Sequence, residues 1–403
     1  MSAAGNRFAF DPFDASQTQE MWDTLAEMRR EAPISRPIAG FVYVARYGDV
    51  KEVFRDARTF SSREGFRGAG VVVPDEECFL GEIDPPAHPK LRELLRQAFR
   101  PGFERRAEPF TRAYTLRKLH AIRDRRGGDL VSELGIHLPP AVTAHVLGLP
   151  TDDIEQVGRW GFELLHSTWP ETNRTERGVG LAGAFPEFAR FLDDQIALRR
   201  SSASPPDDLL TSMVNAADAG TVLSDVQVRT LAANCLLASQ STANLVGNLL
   251  HRFASDAGFE RRLRADRALV AAAVEESLRF EPPVLFLFRT ARHDTELSGG
   301  KIRAGERVIL GIASGNRDES IYERADEFWL DRWPGAAQHL TFGPGAHLCL
   351  GNQLARMEAR VVLELVMDLF PEGALRLAPG YRRHHVPMFL EYGPERLDVV
   401  IGH

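Results

Sequence analysis

Cys349 is the residue whose surroundings most clearly invite chemistry. It sits in the run Thr341-Phe342-Gly343-Pro344-Gly345-Ala346-His347-Leu348-Cys349-Leu350-Gly351, which also holds three glycines, a proline and a histidine. Glycine permits positive φ and close backbone approach, so the loop reads as built to lie against something flat. Leu354, Val361, Val362, Leu365, Val366 and Leu369 then recur at helical spacing. A helix beginning just beyond Cys349 would aim amide N–H groups and a positive dipole end at the sulfur. That field favours thiolate, the form of cysteine that binds metals. The bland alternative is a structural cysteine in a glycine-rich turn.

Other spacings carry less by themselves. Glu276 and Arg279 stand three apart and His88 and Arg92 four apart, so each pair projects from one helix face. Exposed helices carry such pairs routinely. Asn234, Ser239, Gln240, Ser241, Thr242 and Asn244 interrupt an otherwise apolar helical stretch. Burying them costs free energy unless they find partners, so this stretch is expected to face a cofactor, a ligand or water.

Position for position, the cysteine run resembles the haem-binding signature of the cytochrome P450 family, Phe-Gly-x-Gly-x-His-x-Cys-x-Gly. Phe342, Gly343, Gly345, His347, Cys349 and Gly351 fill every specified position. The resemblance implies a haem b (iron protoporphyrin IX) with Cys349 as axial thiolate, and O2 as co-substrate. It implies His88, Arg92 and Arg289 as partners of the haem propionates, a task suited to cationic donors. It implies a structural Glu–Arg–Arg network of Glu276, Arg279 and Arg332 that holds the cysteine loop in register. Substrate contacts would come from Val72, Trp169, Leu237, Leu285, Phe286, Phe288, Met388 and Phe389. Arg96, Arg100, Arg105, Arg106 and Arg112 form a basic patch where the family docks an acidic electron donor.

The chain departs from the family in its central helix. The family usually has Asp/Glu-Thr there, with Asn three positions after the alcohol. Asn244 sets the register and places Gln240 at the acid and Ser241 at the alcohol, with Thr242 next in line. Ser241 keeps a hydroxyl, whereas Gln240 cannot ionise and cannot relay a proton as a general acid. Three readings follow. Gln240 positions water in an ordinary hydroxylase or epoxidase; or the substrate or a water chain supplies protons and the outcome is C–C, C–N or C–O coupling; or peroxide is used directly. A haem-binding sensor without turnover is the reading from another class.

These residues need elements to position them. A capping box at Ser224-Asp225-Val226-Gln227 opens a helix running to about Ala254, and a second helix covers about Arg267 to Phe280. Helices are also expected over 18–30, over Pro89 to Phe99, through most of 107–200, and from an Asp49 cap to Arg55. Ile34, Phe41-Val42-Tyr43-Val44, Arg289-Thr290-Ala291 and Val308-Ile309-Leu310 read as strands. The fold class is therefore mainly α with small β-sheets (α+β), as a single P450 domain over 1–403.

Composition sets the bounds. The chain has 403 residues, 44% of them hydrophobic, and carries a net charge of −7. That balance speaks against a nucleic-acid binder. Three cysteines give no disulfide framework. No secretory signal or membrane span is expected, so the chain is read as a soluble, cytoplasmic bacterial type. The implied partners are an apolar or aromatic small-molecule substrate and a ferredoxin or flavodoxin served by an NAD(P)H-dependent reductase.

Overall fold

Val308, Ile309 and Leu310 form a continuous apolar run, the pattern of a strand covered on both faces. In the computed structural model they lie at the centre of a five-stranded sheet. Its strands are β1 (Ile34–Ser35), β2 (Phe41–Val44), β3 (Phe60–Ser61), β4 (Leu287–Ala291) and β5 (Arg307–Leu310), in the order β1-β2-β5-β4-β3. β5 runs parallel to β2, with Val42 opposite Val308, and antiparallel to β4, with Val308 opposite Arg289. The structure describes residues 8, 10–63, 65, 73–99, 102–150, 154–168, 180–218 and 221–402.

Six helices matter for the site: α1 (Tyr47–Arg55), α2 (Ala87–Ala98), α3 (Ile154–Thr168), α4 (Asp225–Ser255), α5 (Leu269–Phe280) and α6 (Asn352–Leu369). The fold is mainly α with small sheets. Contacts divide it into two units. One comprises Met1–Ser61, Thr115–Gly135 and Ser241–His403; the other comprises Ser62–Tyr114 and Ile136–Gln240. The division falls within α4, between Gln240 and Ser241.

In the first unit the sheet packs on α1: Val42, Val44, Val308 and Leu310 share a core with Tyr47, Val50, Val53 and Phe54. The helix does not start from an Asp49 cap. It begins at Tyr47, whose amide donates to the Asp318 carboxylate at 2.9 Å, while Asp49 lies within the first turn and accepts from Ser298 Oγ at 2.6 Å. A distant carboxylate thus caps the helix, which local sequence spacing could not show. In α4 the capping box forms as a reciprocal pair, Gln227 N–H to Ser224 Oγ at 3.1 Å and Ser224 N–H to Gln227 Oε1 at 2.9 Å. With 31 residues the helix is roughly 46 Å long.

Candidate active site

The cysteine loop is fixed at both ends by hydrogen bonds. At its start, Thr341 Oγ1 donates to Leu278 O at 2.6 Å, and Asn316 bridges Thr341 Oγ1 and the Leu340 amide at 2.9 and 2.7 Å. At its end, the Cys349 amide donates to Phe342 O at 2.9 Å and Asn352 Nδ2 donates to Cys349 O at 2.6 Å. α6 starts at Asn352 with Gly351 as its N-cap. Cys349 is exposed beside the amide end of that helix, and a Cβ at Gly351 would lie 4.0 Å from its sulfur. An exposed thiol in that positive field fits ligation of a haem iron.

Two of the glycines serve an unforeseen purpose. Gly343 and Gly345 have φ of +66° and +117°, and their neighbour is α1. A Cβ on Gly345 would lie 2.7 Å from Phe54 O, and one on Gly343 would lie 3.2 Å from the Phe54 ring. The loop therefore needs glycine to seat its backbone on the end of α1 as well as to turn. Arg289 reaches the same place. Its guanidinium lies 5.7 Å from the Phe54 ring centroid and donates to Phe288 O at 2.7 Å, and the residue is 4% exposed. His347 is half-buried in the loop.

Behind the loop, α5 presents two consecutive glutamates with separate tasks. Glu276 accepts from Arg279 at 2.7 and 3.0 Å, from Trp333 Nε1 at 3.0 Å and from the Trp329 amide at 2.9 Å, with Arg332 at 3.3 Å. Glu276 and Arg279 are fully buried, and Arg279 also donates to the carbonyls of Asn316, Ala325 and Glu327. Glu275 instead holds Arg356 at 2.5 Å and lies 3.3 Å from His339 Nε2. Arg356 in turn sits 4.5 Å over the Phe342 ring. Burial alone would raise the Glu275 carboxyl, but the flanking His339 and Arg356 bring it down to about 2. Glu275 was missed in sequence, because its partners lie more than sixty positions away.

Along α4, Ala238 is exposed and Ser241 half-buried on one face, one turn apart, while Thr242 is buried. Gln240 points elsewhere. A Cβ added to Gly161 of α3 would lie 3.5 Å from Gln240 Nε2 and 3.1 Å from Leu236 O, so the glycine lets α3 approach α4 closely. Among the described residues, Gln240 Nε2 has no hydrogen-bond partner. Leu237 is 8% exposed.

Leu285, Phe286, Phe288 and Met388 are buried, whereas Phe389 is half-buried. Phe288 stacks on Phe13, and Phe286 stacks on Phe389. Val72 and Trp169 lie outside the described residues. In the second unit His88 is buried at the start of α2 and Arg92 is half-buried one turn on. Of the basic patch, Arg106 pairs with Asp207 and Arg112 with Glu108, each at 3.0 Å, so part of its charge is neutralised internally. Arg105 is exposed; Arg100 and the Arg96 side chain lie outside the described residues.

A cytochrome P450 family model matches residues 248–371, which include the Glu276 network and the cysteine loop. Over nearly its whole length the chain is 34% identical to erythromycin C-12 hydroxylase of Saccharopolyspora erythraea, covering 94% of each protein. The chain belongs to the cytochrome P450 family. It is also 30% identical to cyclomarin C epoxidase of Salinispora arenicola, covering 89% of this chain and 90% of that one. A solved P450 from Chondromyces apiculatus superposes with a TM-score of 0.87 at 28% identity, covering 98% of both chains. This P450 is thus an oxidoreductase of a monooxygenase family whose cofactor is haem iron. No helix among its described residues is long and apolar enough to cross a membrane.

Proposed function

We propose that this P450 is a haem-thiolate monooxygenase of an apolar or aromatic small molecule in secondary metabolism. Cys349 is the proposed axial ligand. The observation that carries this reading is the exposed Cys349 thiol at the amide end of α6, in a loop that Gly343 and Gly345 seat on α1. The two relatives named above, erythromycin C-12 hydroxylase and cyclomarin C epoxidase, support a bulky natural-product substrate. When bound, haem b supplies the reductive activation of O2, with electrons drawn from a ferredoxin or flavodoxin and its reductase.

The protein's own contributions follow from residue chemistry. The dipole of α6 favours the thiolate form of Cys349. Arg289, in the same unit as Cys349, offers a buried cation to a propionate; His88 and Arg92 are proposed for the same task on residue type. Ser241 presents a hydroxyl on the face of α4 that also exposes Ala238, so it can donate a hydrogen bond there. Gln240 holds no transferable proton and faces α3. That orientation favours a second reading, in which coupling chemistry or direct use of peroxide replaces ordinary hydroxylation.

The test is a reduced, carbon-monoxide difference spectrum of the wild type beside Cys349→Ala. The expected result is the long-wavelength band of thiolate-ligated haem in the wild type and its loss in the variant. A band typical of histidine-ligated haem in the wild type would overturn the reading. Turnover with surrogate redox partners against turnover with peroxide then separates the two reactions.

A further inference from the structure

The stretch after the Met388 turn contains a charged residue that the reaction has not yet used. Glu391 interrupts the run Val386-Pro387-Met388-Phe389-Leu390 and is 7% exposed. Its backbone is fixed: the Glu391 amide donates to Met388 O at 3.1 Å, and the residue forms a bridge with Val284. The Leu285 amide donates to Leu390 O at 2.9 Å, and the Tyr392 amide donates to Pro283 O at 3.1 Å. Gly393 then lets the chain pass α4, since a Cβ there would lie 2.3 Å from Asn244 Oδ1. The Asn244 side chain thus lies against this strand, and it acts on the Glu391 carboxyl by lowering it against the effect of burial.

Other glutamates of this unit have cations: Glu281 accepts from Arg383 at 2.7 Å, and Glu276 and Glu275 have the arginines described above. Glu358 of α6 is the exception, buried and raised by burial alone, with no ion pair among the described residues. Among the described residues Glu391 has no ion pair. A carboxyl buried this way is driven to its neutral form. Burial raises it to about 7, with Asn244 pulling slightly the other way. It therefore holds an exchangeable proton near neutrality, the property Gln240 lacks.

Position gives this proton a destination. Ser241, Asn244, Asn248, His251 and Ser255 recur at intervals of three and four, so they line one face of α4. Asn248 donates to the carbonyls of Glu281 and Tyr392 and accepts from Arg383 at 2.7 Å. Arg383, Glu281, His251 and His385 interact with one another further along this stripe, and Arg252 and Arg317 also act on Glu281. Arg383 is committed to Glu281 and Asn248, and burial followed by the Arg383 charge lowers both histidines to about 4, so they are neutral near pH 7. Asn244 is one turn from Ser241.

We infer that Glu391, buried on the strand that passes Asn244, is the proton source of this P450 and acts through Ser241 in place of an acid at position 240. The inference rests on the haem-thiolate reading. In the step, the Glu391 O–H bond breaks and its proton passes to a bridging water. That water gives one of its own protons to Ser241 Oγ as the serine hydroxyl proton moves on to the acceptor. Glu391 is left as carboxylate and recovers a proton from solvent water; no electrons move. Glu391 is a positioning and proton-supplying residue, not one that touches substrate.

The experiment uses the full-length holoprotein. Infrared difference spectra across pH should show a protonated carboxylic-acid carbonyl band lost with a midpoint near 7 in the wild type and absent in Glu391→Gln. With NADPH, O2 and a surrogate ferredoxin system, wild-type NADPH oxidation should fall as pH rises through that midpoint. Glu391→Gln should be about tenfold slower at pH 6 and flat with pH, with an unchanged carbon-monoxide band. Glu391→Asp, which can still ionise, should keep the slope. Absence of the wild-type infrared band overturns the inference whether or not the glutamine variant folds, as does a glutamine variant with the wild-type rate and slope. Loss of the thiolate band in the wild type would instead overturn the functional reading beneath it.

Discussion

Arg279 is a fully buried cation whose donors are all engaged, by Glu276 and by three backbone carbonyls. Removing one member of such a network leaves the others charged and unpaired, at a cost of about 3–5 kcal/mol. Arg279→Ala is therefore expected to lower the thermal midpoint steeply and to yield little haem-loaded protein, measured by calorimetry and the haem-to-protein absorbance ratio. A variant with wild-type stability would show that the network is dispensable. Residues of this kind were legible because a short motif marks them: Glu276, Arg279 and Arg332 stood out by resemblance, as did Cys349. Glu275 and Glu391 did not stand out. A glutamate beside a glutamate, or one charge after an apolar run, becomes informative only when distant partners are known. For Glu275 those partners are Arg356 and His339; for Glu391, the telling fact is that it has no ion pair among the described residues.

Helices and strands were read well from periodicity, but the reason for a loop's composition was not. The glycines of the cysteine loop suggested a flat partner; the structure shows Gly343 and Gly345 resting on Phe54 at the end of α1. Gly345→Ala puts a side chain at φ +117° and within 2.7 Å of a backbone oxygen. Strain of that kind costs on the order of 1–3 kcal/mol, and here the loop must also lift from α1. The expected outcome is a lower thermal midpoint together with partial conversion of the carbon-monoxide band to its inactive, shorter-wavelength form. Gly380→Ala, at a positive-φ glycine with open space around it, controls for strain without the clash. Equal effects on the band in both variants would remove the special role of the α1 contact.

Across the molecule, buried titratable groups oppose one another in pH. His251 and His385 bind protons less readily folded than unfolded, so the stability they reflect is lost as pH falls from 6.5 toward 4. Glu391 holds its proton more tightly when folded, so its contribution is present below 4.5 and lost as pH rises through about 7. The difference amounts to a few kcal/mol, roughly 3 for a shift of this size. Glu391→Gln should accordingly raise the thermal midpoint relative to wild type at pH 8 and leave it nearly unchanged at pH 4.5. A constant offset at both values would mean that Glu391 does not titrate between them. The pairing of β2 with β5 has a consequence in time. Val42 faces Val308, so the N-terminal strand leaves the ribosome long before its neighbour exists. At about 5–20 residues per second the wait is on the order of tens of seconds. During that interval an apolar strand is exposed without its mate, which makes the yield of this enzyme sensitive to translation speed and to chaperones that shield nascent chains.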